Sequence, residues 1–225
     1  MSNQFDRIVG LIGEDGFSSL QDRVIGVIGL GGVGGTALEA LVRSGFQHFV
    51  IVDFDNVDIT NLNRQLLYTL DDVNKPKVEA ATKRVLAINP NVEIIAYQEK
   101  ISKEILSGHH FDFIVDAIDD VKGKILISDY AIKNSIPFIV SLGMANRLNP
   151  DDVIVTKINR TTNDPLAKKL RYEFKRNNID LSLVNCVFSK ELPYKENNKL
   201  FSSISVTSSA GLKISSYILD YFLNN

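Results

Sequence analysis

Four charged side chains stand where a phosphorylated ligand would need them. Asp53, with Asp55 close behind, ends the apolar run Phe49-Val50-Ile51-Val52. It lies about 20 residues past the turn Gly29-Leu30-Gly31-Gly32-Val33-Gly34, where a dinucleotide-binding unit keeps its ribose-binding acid. Gly29, Gly31 and Gly34 let the backbone turn tightly and bring a phosphate to the free N–H groups of a helix start. Arg64 and Lys77 follow. A triphosphate needs such cations to offset its charge, whereas a nicotinamide dehydrogenase has little use for them. Asp119 sits just beyond Phe113-Ile114-Val115, where ligands gather in open parallel sheets, and a carboxylate there suits magnesium bound to phosphates. Taken singly, Arg64 and Lys77 also read as ordinary surface charges, Asp119 as a cap for the next helix, and Asp116 as structural.

These residues need a scaffold that sets strand ends side by side. An amphipathic helix from Phe5 to Leu20 is expected first, broken near Gly13-Glu14-Asp15-Gly16. Val24 to Ile28 reads as a strand, and Ala37, Leu38, Leu41 and Val42 repeat at helical spacing after the glycine turn. Residues 56–74 are polar and aperiodic, which predicts a functional crossing loop. Pro76 opens a helix carrying Val78, Ala81, Val85 and Leu86, stopped by Asn89-Pro90. Val92 to Ala96, Phe113 to Val115 and Pro137 to Ser141 complete a set of strands, with a helix from Ile125 to Asn134 between the last two. Strands alternating with helices predict an α/β, Rossmann-like, doubly wound and mostly parallel sheet. Beyond Gly143, strands at Val153–Ile158 and Val184–Phe188, a helix capped by Asp164-Pro165, and a last helix (Ala210 to Phe222, with Leu212, Ile214, Ile218 and Leu219 on its apolar face) predict an extension that completes the sheet and its substrate side. One domain is expected, divided into a helical arm (1–22), a nucleotide-binding core (23–145) and a substrate and dimer half (146–225).

At 225 residues and 44% hydrophobic content the chain can bury a substantial core. Its net charge of −2 gives no global pull toward nucleic acid, so polyanion contact must come from a local patch. The single cysteine excludes an internal disulfide and a paired C-x-x-C zinc site. No apolar run approaches a membrane span and no signal peptide is visible, so a cytoplasmic protein is expected.

Five segments together resemble the adenylating family that includes the ThiF, MoeB and HesA activators of sulfur-carrier proteins and the ubiquitin-activating enzymes. They are Gly29–Gly34, Val52-Asp53-Phe54-Asp55-Asn56-Val57, Asn61-Leu62-Asn63-Arg64-Gln65, Lys75-Pro76-Lys77-Val78-Glu79 and Asp116-Ala117-Ile118-Asp119. The resemblance implies ATP as co-substrate, with Gly29, Gly31, Gly32, Gly34, Asp53, Asp55, Asn61, Arg64 and Lys77 around it and magnesium on Asp119. It also implies a homodimer in which Arg7 reaches the partner's triphosphate. Gln4-Phe5-Asp6-Arg7 lacks the family's usual first arginine.

Within that family, Asp164-Pro165-Leu166-Ala167-Lys168-Lys169-Leu170-Arg171 and Val184-Asn185-Cys186-Val187-Phe188-Ser189-Lys190-Glu191 are similar to the branch that dehydrates threonylcarbamoyladenosine in tRNA. The absence of two C-x-x-C pairs tells against the alternative, adenylation of the C-terminal glycine of a ubiquitin-like sulfur carrier. The chain is short between Glu191 and Ser208 relative to that branch.

Two features keep alternative readings. Lys168, Lys169, Arg171, Lys175 and Arg176 face Glu173 alone in one helix; they read as a solvated face or as phosphate contacts to tRNA. Cys186 reads as a small buried hydrophobe, or as a reactive thiol that accepts an activated acyl group or meets a sulfurtransferase partner. His48, His109 and His110 are assigned no catalysis.

Overall fold

The apolar runs become adjacent strands of one sheet in the computed structural model, which describes residues 3–194 and 199–224. Helix α1 (Asp6–Gln21) leads, with Gly13 at φ 78° breaking it where the sequence predicts. Then follow β1 (Val24–Ile28), α2 (Gly32–Arg43), β2 (His48–Val52), α3 (Lys77–Ile88), β3 (Glu93–Tyr97), α4 (Lys103–Ser107) and β4 (Phe113–Asp116). The remainder is α5 (Val121–Lys133), β5 (Phe138–Ser141), β6 (Val153–Lys157), α6 (Pro165–Arg176), β7 (Asn185–Ser189) and α7 (Ile204–Asn224).

The strand order is β3-β2-β1-β4-β5-β7-β6. All neighbours are parallel except β6 and β7, so the doubly wound sheet is extended by an antiparallel edge from the second half of the chain. Strand order reverses between β1 and β4, which makes that boundary the switch point where such sheets bind ligands. Ile28 is level with both Val52 and Asp116, so Gly29, Asp53 and Ala117 begin their loops side by side.

Each face of the sheet buries its own apolar cluster. One joins α2, α3 and α7 to β1, β2 and β4 through Leu38, Leu41, Ile51, Val85 and Ile214. The other seats α4, α5 and α6 through Leu106, Ile127, Leu170 and Phe174, and contains Cys186.

Two local expectations are corrected, and one element is new. Helix α7 starts six residues before Ala210, and its buried stripe is Val206, Ala210, Ile214 and Ile218; Leu212 is exposed because it stands two residues, not three or four, from Ile214. Leu86 likewise faces water beside buried Val85. The short helix α4, capped by the Ser102 side chain, lies in a stretch too brief to show periodicity. Residues 195–198, within the shortened rim between Glu191 and Ser208, lie outside the described residues.

Candidate active site

The loops after β1, β2, β4 and β5 open into one cleft of roughly 2130 Å³ at the carboxyl ends of the parallel strands. Gly29 turns out of β1 at φ 94°, and a Cβ there would stand 2.7 Å from the Ala117 backbone. Only glycine lets the β1 and β4 loops approach so closely. Gly31 caps α2 without a side-chain hydrogen bond, and Gly31, Gly32 and Val33 line the cleft, so the first turn of the helix presents free N–H groups to it. Gly34 has a different duty from the one expected. It is buried, lies outside the cleft lining, and its missing side chain lets α2 pack on the Gly29 carbonyl.

Asp53 accepts hydrogen bonds from Leu30 N (2.7 Å) and Asp55 N (2.9 Å), which locks the β2 loop against the glycine turn. Burial pushes its carboxyl up from the ordinary value, against the pull of Lys77 and those two amides. Two bonds leave a carboxylate with acceptor positions to spare for ribose hydroxyls. Lys77 Nζ, nearly buried, pairs with Asp55 at 2.8 Å and stands 4.0 Å from Asp53. The crossing loop holds Asn61 through a reciprocal cap with Asp58, and Arg64 Nη1 donates to Thr60 O at 2.8 Å. Gln65 is buried in the cleft wall, and its Oε1 has no hydrogen-bond partner among the described residues.

At the β4 end, two neighbouring carboxylates separate. Asp120 caps α5 by accepting from Gly123 N at 2.7 Å, so the cap is not Asp119, which stays exposed in the cleft. Behind them Asp116 and Lys124 form a fully buried ion pair at 2.9 Å, and burial pushes the Asp116 carboxyl up against the attraction of Lys124. Among the described residues no group of three His, Cys, Asp or Glu side chains could hold a metal alone. The exposed Asp119 carboxylate in the cleft is a donor of the kind magnesium can use, because that ion takes one or two carboxylates and completes its shell with phosphates and water.

Sequence reasoning missed Arg147 and Asn146 on the opposite wall. Arg147 is buried, pairs with Asp164 at 3.7 Å, and donates to the carbonyls of Gly143 and Ala145 and, from Nε, to that of Glu191 at 3.2 Å. Asp164 also accepts from Gly143 N at 3.1 Å while capping α6 through Ala167 N. Helix α6 is thereby latched to the loop after β5.

Two expected contributors, Arg171 and Cys186, fall elsewhere, and Arg7 lies where only a partner's site could use it. Arg171 is turned inward, with Nη1 on the Ile158 and Thr161 carbonyls and on the Thr161 hydroxyl, so it clasps the preceding turn and does not face solvent as a phosphate contact. Lys168, Lys169, Lys175 and Arg176 remain exposed, Arg176 beside Glu173 and over the Tyr172 ring. Cys186 is fully buried in β7, and burial pushes its thiol up to about 12, so it packs as a small hydrophobe and lacks the exposed, low-pKa setting of a reactive thiol. Arg7 is exposed on α1, and the cleft of its own chain does not include it.

Residues 5–163 match the ThiF family. The chain belongs to that family. A ThiF-family relative from Bacillus subtilis, a tRNA threonylcarbamoyladenosine dehydratase, is 38% identical over 197 residues, covering 86% of this chain and 77% of its own. The crystal structure of the Escherichia coli tRNA N6-threonylcarbamoyladenosine dehydratase TcdA in complex with ATP superposes with a TM-score of 0.92 at 30% identity, covering 98% of this chain and 94% of that one. A sulfur carrier protein adenylyltransferase from Thermus thermophilus is 35% identical over 134 residues, covering 59% of this chain and 49% of its own. The dehydratases thus match both halves of this ThiF-family chain, and the carrier-activating relative matches over a shorter span.

Proposed function

We propose that this protein is an ATP-dependent dehydratase acting on N6-threonylcarbamoyladenosine in tRNA. The observation that carries the reading is the single cleft: its glycine turn, Lys77, Arg64 and Asp119 occupy one end, and residues 141–147, 193–194 and 199–202 form the other. At roughly 2130 Å³ it exceeds the usual 300–1,000 Å³ of a one-ligand pocket and has room for ATP beside a modified nucleoside.

In the proposed reaction the threonyl carboxylate attacks the α-phosphorus of ATP, and pyrophosphate leaves. A ureido nitrogen of the same modification then attacks the activated carbonyl. It gives up its proton to solvent, the ring closes, and AMP departs with the former carboxylate oxygen. The substrate loses one water in sum, and ATP cleavage drives the loss. Asp53 and Asn61 orient the nucleoside end of ATP, and the α2 N-terminus, Arg64 and Lys77 hold the phosphates. Magnesium on Asp119 would offset negative charge as it moves to the leaving pyrophosphate. Arg7 of a second copy completes the charge set in a homodimer. The tRNA lies along α6 through Lys168, Lys169, Lys175 and Arg176. ATP and tRNA meet in the cytosol, where we place the protein. The reaction balances without sulfur, so a sulfurtransferase partner would act only by delivery or stimulation.

Purified protein incubated with ATP and modified tRNA is expected to produce a nucleoside lighter by one water on mass analysis. An unchanged nucleoside, with pyrophosphate exchange stimulated by a sulfur-carrier protein instead of tRNA, replaces this reading by carrier adenylation.

A further inference from the structure

The outer rim of the cleft carries aromatic surface that this chemistry leaves unused. Tyr194 and Phe201 line the cleft yet remain 63% and 57% exposed. Their backbones are pinned. Asn146, at φ 58°, accepts Tyr194 N on its carbonyl at 2.8 Å and donates its own N–H to Phe201 O at 2.7 Å. Its side chain accepts Phe201 N at 2.6 Å and donates to Lys199 O at 2.9 Å. On the nucleotide side, Asn63 Nδ2 donates to Ser202 O at 3.0 Å. The stretch that presents Phe201 is therefore tied to both walls of the cleft, and its ring is kept in water.

Taking the proposed function as given, we propose that Tyr194 and Phe201 form a stacking platform for unpaired bases of the RNA that carries the reacting nucleoside. A nucleoside must leave its stack to enter an active-site cleft, and its neighbours then need replacement aromatic faces. Cations for the attached phosphates stand alongside. Lys199 lines the same rim, and α6 starts at the cleft with Pro165 and Leu166, placing exposed Lys168 and Lys169 less than one turn further on. Aromatic faces interleaved with lysines suit a single strand. The core of a protein–protein contact excludes lysine, which argues against a second copy as the occupant.

The chain contains no tryptophan, so Phe201→Trp supplies a sole indole reporter. Titrating tRNA into this variant is expected to quench its emission saturably, because an indole stacks on bases as a phenyl ring does. The double variant Tyr194→Leu, Phe201→Leu keeps apolar bulk and removes both rings. It is expected to raise KM for tRNA about ten-fold or more, with ATP affinity by calorimetry and sedimentation behaviour unchanged. Absence of quenching, or an unchanged KM in the double variant, overturns the proposal. A changed oligomeric state in the double variant also overturns it, and assigns the face to contact between copies. Quenching needs no turnover, so a protein that stacks tRNA without removing water loses the dehydratase assignment and retains the platform.

Discussion

At Asp119 and Asp120, adjacent carboxylates are committed to different tasks by one turn of backbone. Both line the cleft, but Asp120 is spent on the Gly123 amide, whereas Asp119 caps nothing. Asp119→Asn is expected to lower kcat about 100-fold through lost transition-state charge compensation and to leave the thermal midpoint unchanged. Asp120→Ala should cost about 1 kcal/mol of stability as a lost cap, so calorimetry and kinetics together separate the two residues. Cys186 allows a sharper test. Its folded thiol stays protonated up to about 12, whereas an exposed thiol in the unfolded chain ionises from 9.0. The unfolded state therefore binds fewer protons in that window, and stability present below the lower value is lost as pH rises toward the upper one. The slope is about 1.4 kcal/mol per pH unit. Urea denaturation across this alkaline range should show the decline in the parent and a shallower one in Cys186→Ala, whose turnover at neutral pH is retained.

Among the elements, α6 has two faces with separable roles. Lys168→Glu with Lys169→Glu is expected to weaken tRNA binding and flatten the dependence of log affinity on log salt by about two or more, with ATP affinity untouched. Arg171→Ala should leave that slope alone and cost about 2 kcal/mol of stability, because it strips charged hydrogen bonds from the Ile158 and Thr161 acceptors. The nucleotide half of the site is legible in the sequence because its determinants are local. A strand, a glycine turn and a following acid lie within some thirty residues, and the buried strands β1, β2, β4 and β5 read as unbroken apolar runs. The opposite wall is not. Arg147 acts through carbonyls of irregular loops and through Asp164 and Glu191, 17 and 44 residues away, and no periodicity or motif spacing encodes such partners. Arg171 shows the reverse failure: composition counts it with its lysine neighbours, and only the fold reveals which way it turns.

For the molecule as a whole, the cation expected from a partner is absent from the cleft of its own chain. Arg7 stands exposed on α1, a helix packed against α7, and is not among the residues that line the cleft. In a homodimer that exchanges these arms, Arg7→Ala and Asp119→Ala each disable every site. Mixing the two variants should restore activity in heterodimers, because one of the two sites then holds both an intact Asp119 and an intact partner arginine. Random exchange makes heterodimers about half of the population and gives each one good site, so recovery toward about one quarter of parental kcat is expected. Activity that stays at the level of the separate variants after subunit exchange, verified by mass spectrometry, would place Arg7 outside the reaction. Among the described residues no helix is long and apolar enough to cross a membrane.

The pinning of Tyr194, Lys199 and Phe201 by Asn146 has a consequence for connectivity. Helix α7 supplies Val206, Ala210, Ile214 and Ile218 to the core, yet its covalent link to β7 runs through this one rim segment. In binding terms α7 is an intramolecular ligand, docked in a groove made by α2 and the sheet and held there at the high effective concentration of a short tether. The Asn146 and Asn63 hydrogen bonds position its leading end independently of the tether. Cutting the chain between Tyr194 and Lys199 would turn a folding contact into a bimolecular one while leaving the Val206, Ala210, Ile214 and Ile218 packing face in place. Reassociation of the two fragments would then report the docking energy of α7 as a dissociation constant.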